Sequence, residues 1–207
     1  MKRIHLPYLL GAIVALTGLT VMAGWFFDVP ALKSILPVWV TMKFATAVSF
    51  VLSGIVLWSV ACELQGKECL AQVLLPVTTL CLFLIMFTML ASSLLGIRTG
   101  IENLFVRETA SAVKTTIPGR PSIVTMFAFC LVATCGVSVM LKPKNLRSIL
   151  TVLGAMLAVI GVLGGLGYIL NVPELYYSVK GISSAIACHT AILFVLLGIG
   201  LCASTRS

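Results

Sequence analysis

Six long apolar runs decide what this chain can fold into. They lie near residues 7–27, 41–61, 70–96, 121–141, 148–170 and 183–204. A helix needs about 20 residues to cross a bilayer, and each run is near that length. In an apolar solvent every backbone N–H and C=O must be satisfied within the protein, which a helix does. No alternation of period two runs through the stretches, so a membrane β-barrel is not indicated. Composition agrees, with 60% hydrophobic and only 10% charged residues among 207; an ordinary soluble domain carries about 25% charged residues. The expected fold is an all-α membrane protein: one transmembrane domain over 1–207 with six transmembrane helices, much of it covered by lipid.

The basic residues support this reading. The formal charge is +8, but most Lys and Arg stand singly between apolar runs, as residues flanking membrane segments do. No basic cluster is present to neutralise phosphates, so nucleic acid is not an expected partner. Cys81, Cys130, Cys135 and Cys202 fall inside apolar runs, where a thiol behaves as a small hydrophobe. Cys62 and Cys69 flank the polar turn CELQGKEC, whose spacing fits no four-ligand zinc pattern. No metal site is expected. The first residues, MKRIHLPYLLGAIVALTGLTVMAG, imitate a signal peptide. The run nevertheless stays apolar through Trp25 and Phe27, which points to a retained first helix.

The connections alternate in length. Those after the second and fourth runs are short, and those after the first, third and fifth are longer, so the runs pair into three hairpins over about 7–61, 70–141 and 148–204. GWFFDVPALK from Gly24 is echoed by GYILNVPELY from Gly167, which matches Asp28 with Asn171 and Pro30 with Pro173. ATAVSFVLSGI from Ala45 is echoed by HTAILFVLLGI from His189. The middle hairpin is the weakest copy, with Gly96 aligned to Gly24 and Gly167, and Thr125 and Phe129 aligned to the other Thr and Phe residues. A recurring segment implies one structural unit used several times, here three hairpins about a pseudo-threefold axis along the membrane normal. Gly24 and Gly167 are expected as left-handed C-caps. Thr46, Phe50 and Gly54 share one helix face at i, i+4, i+8, as do Thr190, Phe194 and Gly198. That face is expected to pack toward the axis. Gly161 and Gly165 form a GxxxG pair suited to close helix approach.

Lys and Arg divide evenly between the two sides of such a bundle. Lys2 with Arg3, and the trio Lys142, Lys144 and Arg147, are dense and near helix ends, where the positive-inside bias acts most strongly. Both termini are therefore expected in the cytoplasm.

VPALKSILPVWVTMKFATAVSFVLSGIVLW, VPELYYSVKGISSAIACHTAILFVLLGIG and, more weakly, IPGRPSIVTMFAF resemble the amino-terminal membrane region of bacterial sensor histidine kinases and diguanylate cyclases. The resemblance implies a multi-pass module of the bacterial cytoplasmic membrane that feeds a signal to a kinase or cyclase. No PAS, kinase or cyclase sequence follows within the 207 residues.

Candidate ligand-contacting residues are His189, Asp28, Asn171, Thr46, Thr190 and Thr125. A neutral imidazole at His189 can bind a metal, a haem or a proton, or simply bond a loop carbonyl; the one other histidine, His5, belongs at the opposite membrane face. Asp28 and Asn171 can line a shared pocket or cap their loops before proline. The segment GIENLFVRETASAVK has the pattern of an amphipathic surface helix or lid. Phe83, Met86, Phe87 and Met89, and the pairs Trp25–Phe26 and Tyr176–Tyr177, are core and interface residues that could also touch a quinone or pigment. No cofactor is required, and haem or quinone stays open. There is no paired carboxylate in an apolar run, no phosphate loop and no Ser-His-Asp logic. The expected function is a non-enzymatic sensory module. The alternatives are an accessory subunit of a larger membrane complex, contacting a lipid, quinone or pigment, or a small transporter.

Overall fold

Exposed and interior helices alternate along the chain. The computed structural model describes residues 5–36, 39–66, 70–97, 100, 118–176 and 184–205. These residues form α1 (Leu6–Phe26), the one-turn α2 (Pro30–Lys33), α3 (Phe44–Leu64), α4 (Ala71–Leu94), α5 (Ile123–Leu141), α6 (Leu146–Leu170) and α7 (Cys188–Ser204). No strand occurs among the described residues. Five of the helices (α1, α3, α4, α5 and α6) are long and apolar enough to cross a membrane. The sixth apolar run gives only the 17-residue α7.

That shortfall has a local cause. Residues 184–187 are not helical, and the Ile186 amide donates to the carbonyl of Tyr176 at 3.0 Å. The second run starts late for the same reason, because the Met42 amide donates to the carbonyl of Lys33 at 2.9 Å and α3 begins at Phe44. In both places an extended segment pairs with the preceding loop before the helix starts.

The most extensive helix contacts are α1 with α3, α4 with α5 and α6 with α7. Helices α3 and α5 bury most of their spans, whereas α1, α4 and α6 bury about a third. An inner set (α3, α5, α7) thus stands inside an outer set (α1, α4, α6), whose exposed residues include Leu16, Val73, Leu80, Val159 and Ile169. Within a membrane, lipid is as apolar as these side chains, so helices of this kind associate there by packing rather than by water exclusion.

Packing is closest at glycines. A methyl group at Gly11 would sit 2.9 Å from the Gly54 carbonyl oxygen, and one at Gly154 would sit 2.9 Å from that of Gly198. At Gly18 it would meet the Ala47 carbonyl at 2.7 Å, and at Gly161 the Ala191 carbonyl at 2.5 Å. Glycine here removes the atom that would hold the backbones apart. Gly165, by contrast, faces open space, so the close approach of α6 to α7 is made by Gly154 and Gly161 and not by a GxxxG pair.

The left-handed residues are also displaced from the expected ones. Gly24 and Gly167 are not in that conformation; Asp28 (φ 54°), Gly96 (φ 68°) and Asn171 (φ 54°) are. Each is followed by an amide that reaches back five residues: Val29 to Gly24 at 2.9 Å, Ile97 to Ser92 at 3.0 Å and Val172 to Gly167 at 2.9 Å. Gly96 therefore corresponds to Asp28 and Asn171, and Ser92 to Gly24 and Gly167. Gly24 and Gly167 let the loop fold over, since a methyl group there would collide with Leu32 or with Leu175 and Tyr176.

Candidate functional site

The inner helices α3, α5 and α7 all start at the end of the bundle that carries the long connections, here called the loop end. The opposite end carries the short turns around Gly66 and Lys142. Between the inner helices, Phe50, Phe129 and Phe194 are fully buried and touch one another. Their ring centroids are 4.8 Å (Phe50–Phe129), 5.2 Å (Phe50–Phe194) and 5.1 Å (Phe129–Phe194) apart. Tilted and edge-on rings at such spacing attract by about 0.5–1.5 kcal/mol per pair beyond their buried area. These three rings form the centre of the inner set of helices.

One helical turn nearer the loop end, on the same helix faces, stand Thr46, Thr125 and Thr190. All three are buried, at 3%, 2% and 2% exposure. Thr125 is held by its own N-cap: Ser122 Oγ accepts from the Thr125 amide at 3.1 Å and lies 2.7 Å from Thr125 Oγ1. Thr46 and Thr190 lack this arrangement. Lys43 and Ala187 occupy the N-cap positions of α3 and α7, and neither side chain caps its helix.

Around this core the loops are tied down in a recurring way. Trp25 Nε1 donates to the Met42 carbonyl at 2.9 Å, and the Tyr168 hydroxyl donates to the Ile186 carbonyl at 2.7 Å. Arg120 is buried and donates to the Ile97 carbonyl at 3.0 Å and to Ser92 Oγ at 3.3 Å, which covers the end of α4. Lys33, itself buried, pairs with Asp28 and lies 4.6 Å from the centre of the Trp25 ring. The Lys33 hydrogen bond and charge hold the Asp28 carboxyl below the usual carboxylate range. Trp39 packs on Tyr168 at 5.1 Å and Tyr168 on Tyr176 at 4.7 Å, joining the first loop to the α6–α7 pair.

The expected site residues thus share one end but not one pocket. The three threonines are buried one helical turn from the phenylalanine contact. Asp28 and Asn171 lie exposed at the rim, where their left-handed backbone and the Lys33 pair account for them. His189, in the first turn of α7, has both ring nitrogens shielded from solvent and without a hydrogen-bond partner among the described residues. His5 precedes α1 at the other end. Among the described residues no group of three His, Cys, Asp or Glu side chains could hold a metal ion. Phe83 and Phe87 stack on each other at 5.0 Å on the exposed side of α4. Tyr177 and most of GIENLFVRETASAVK lie outside the described residues. Tyr168, Ser122 and Arg120 escaped the sequence reading of the site, and Trp25 was read there only as an interface residue that could touch a quinone or pigment. Ser122 had a usable signal, since Ser three residues before a Thr in an apolar run is an N-cap pattern.

Compared with known proteins, the chain matches no family model, no curated protein and no solved structure.

Proposed function

We propose that this chain is a non-enzymatic input module of a bacterial signalling system, in which three copies of one helical pair close around a common axis. The pairs are α1–α3, α4–α5 and α6–α7, and six spans carry the chain across the cytoplasmic membrane. The loop end faces outward, both termini lie in the cytoplasm, and a protein partner of kinase or cyclase type reads the state of the bundle.

One observation carries this reading, the mutual contact of Phe50, Phe129 and Phe194. Each ring belongs to a different pair, and each lies one turn below a buried threonine at the loop end. A change at one loop therefore meets the other two pairs at a single packed point, and packed points shift between discrete arrangements rather than deforming smoothly. The matched loop bonds of Trp25 and Tyr168, and the matched left-handed residues 28, 96 and 171, support the threefold copying. The rings also fill the place where a translocation path along the axis would run, which leaves transport the weaker reading.

A second reading has one observation in its favour. An open, wholly apolar groove of about 290 Å³ lies between α1, α3 and α4, lined by residues that include Gly11, Ala12, Ala15, Gly54, Trp58 and Leu74. Such a groove suits an accessory subunit that seats a neighbour or a lipid-like cofactor.

Purification from the native membrane in mild detergent, followed by identification of everything that stays bound, separates the two. A kinase or cyclase at fixed ratio is the expected result. A respiratory or photosynthetic complex at fixed ratio would replace the input module by the subunit, and a chain that purifies with no protein partner would overturn both.

A further inference from the structure

We propose that the apolar groove between α1, α3 and α4 binds one anionic phospholipid, with an acyl chain in the groove and the phosphate at the short-turn end. The proposal rests on the reading of the chain as a membrane-spanning bundle, and it holds whichever partner reads that bundle.

Small residues build the groove. Helix α3 packs against both α1 and α4, which make no extensive contact with each other. Gly11, Ala12 and Gly54 line the gap beside Trp58 and Leu74. The lining is wholly apolar, and the outer helices on either side also expose apolar residues, including Leu9 and Ile13 of α1 and Val73 and Val77 of α4. Apolar hollows of this kind hold hydrocarbon rather than water.

The groove lies close to one membrane face. Leu74 is in the first turn of α4 and Gly11 in the second turn of α1, and both helices start at the short-turn end. Tyr8 packs edge-on to Trp58 at 6.5 Å; Tyr and Trp near helix ends sit at headgroup level. A hydrocarbon chain in this groove therefore has its head at the short turns.

A second, independent observation says what that head carries. Gln65 is the C-cap of α3. It stands seven residues past Trp58, about 10 Å further along the same face. Its Nε2 is shielded from solvent and has no hydrogen-bond partner among the described residues. Buried polar groups in folded proteins are nearly always bonded, to protein, water or ligand, and this donor needs an oxygen.

The charge of this end selects a phosphate oxygen. Its charged groups among the described residues are Lys142, Lys144, Arg147 and the one acid Glu63. Glu63 already pairs with Lys142 at 3.7 Å, which sets that cation beside the last turn of α3. Lys2 and Arg3 precede α1 in the sequence. Basic positions at the ends of membrane helices attract anionic lipid heads. An apolar helix from a neighbouring protein would fill the groove but leave the Gln65 donor and the excess of cations unanswered.

Trp58 reports on the groove directly. The test uses the full chain with Trp25→Phe and Trp39→Phe, which leaves Trp58 alone of the three tryptophans. The chain is placed in mixed vesicles of dioleoylphosphatidylcholine and dioleoylphosphatidylglycerol. In one series the phosphatidylglycerol carries brominated acyl chains, in the other the phosphatidylcholine does, and bromine quenches indole emission on contact. Trp58 is expected to prefer phosphatidylglycerol about fivefold, and less so at high salt. Gln65→Leu and Lys142→Gln are each expected to bring the ratio toward one. Ala12→Phe fills the groove and is expected to lower quenching by both lipids. Should the double tryptophan variant not fold, the unfolding temperature of the unchanged chain in detergent is titrated with each lipid, and phosphatidylglycerol alone is expected to raise it saturably. Equal action of the two lipids would overturn the proposal. So would a preference that survives both head variants, quenching that Ala12→Phe leaves unchanged, or a Trp58 that neither brominated lipid quenches, since protein would then cover the groove. None of these outcomes alters the partner identified by co-purification, so the two readings fail separately.

Discussion

Trp25 and Tyr168 make the same bond with different chemistry. Each stands three residues before the left-handed residue of its loop, Asp28 or Asn171, and donates from its ring head to the carbonyl of the extended segment opposite, Trp25 to Met42 and Tyr168 to Ile186. Neither bond depends on the identity of its acceptor, since any residue supplies a carbonyl. Removing one donor should cost about 1 kcal/mol. Trp25→Phe and Tyr168→Phe are therefore each expected to lower stability by about that amount, measured as a shift in the detergent unfolding transition, while leaving helix content by circular dichroism unchanged.

The phenylalanine contact should be the costliest place to cut. Loss of a buried Phe side chain to Ala typically costs about 3–5 kcal/mol. Phe50→Ala, Phe129→Ala and Phe194→Ala should each do so, and because the rings touch, the double variants should cost less than the sum of the singles. Denaturant titration of the three singles and three doubles checks both statements.

Two glycines of α6 and α7 should behave oppositely. At Gly198 an added methyl group would meet the Gly154 carbonyl and Ala158, whereas at Gly165 it would meet nothing. Gly198→Ala should lose about 1–3 kcal/mol through overpacking. Gly165→Ala should be neutral, or gain up to about 1 kcal/mol from helix propensity. Unfolding temperatures of the two variants, side by side, decide this.

The Asp28–Lys33 pair should show its effect only in acid. The folded Asp28 carboxyl titrates below its unfolded value, because Lys33 bonds it and lies close in charge. Its contribution is whole above the unfolded value and drains away as pH falls through the folded one. Asp28 is 91% exposed, so the contribution is small. The difference in unfolding temperature between the unchanged chain and Asp28→Asn should be flat from pH 5 to pH 8 and shrink toward zero below about pH 4.

The sequence made the membrane-spanning runs legible because apolar length alone specifies them. It also made the match of residue 28 to residue 171 legible, because Val-Pro follows both. The register of the middle pair was not legible. No Val-Pro follows Gly96, and glycine there does the work that Asp and Asn do elsewhere, so alignment by glycine shifted that loop by four residues. The late starts of α3 and α7 were hidden for another reason: VTMK and SAIA are apolar enough to continue a helix, and long-range bonds hold them extended, from their amides to Lys33 and Tyr176 and to their carbonyls from Trp25 and Tyr168. Of the candidate site, the threonines were visible through their spacing from Phe. The aromatic and Arg120 bonds that position the loops join residues at separations of 17 to 28, with no local pattern to betray them.

A shared threefold arrangement requires the three pairs to present their loop ends to one side of the membrane. The direct measurement replaces the native cysteines and places single ones by Asp28→Cys, Ile97→Cys, Asn171→Cys and Lys144→Cys, then labels intact cells with a membrane-impermeant maleimide. Positions 28, 97 and 171 should all label from outside, and position 144 only after the membrane is opened. If any of the first three labelled from the same side as position 144, the shared axis would be contradicted.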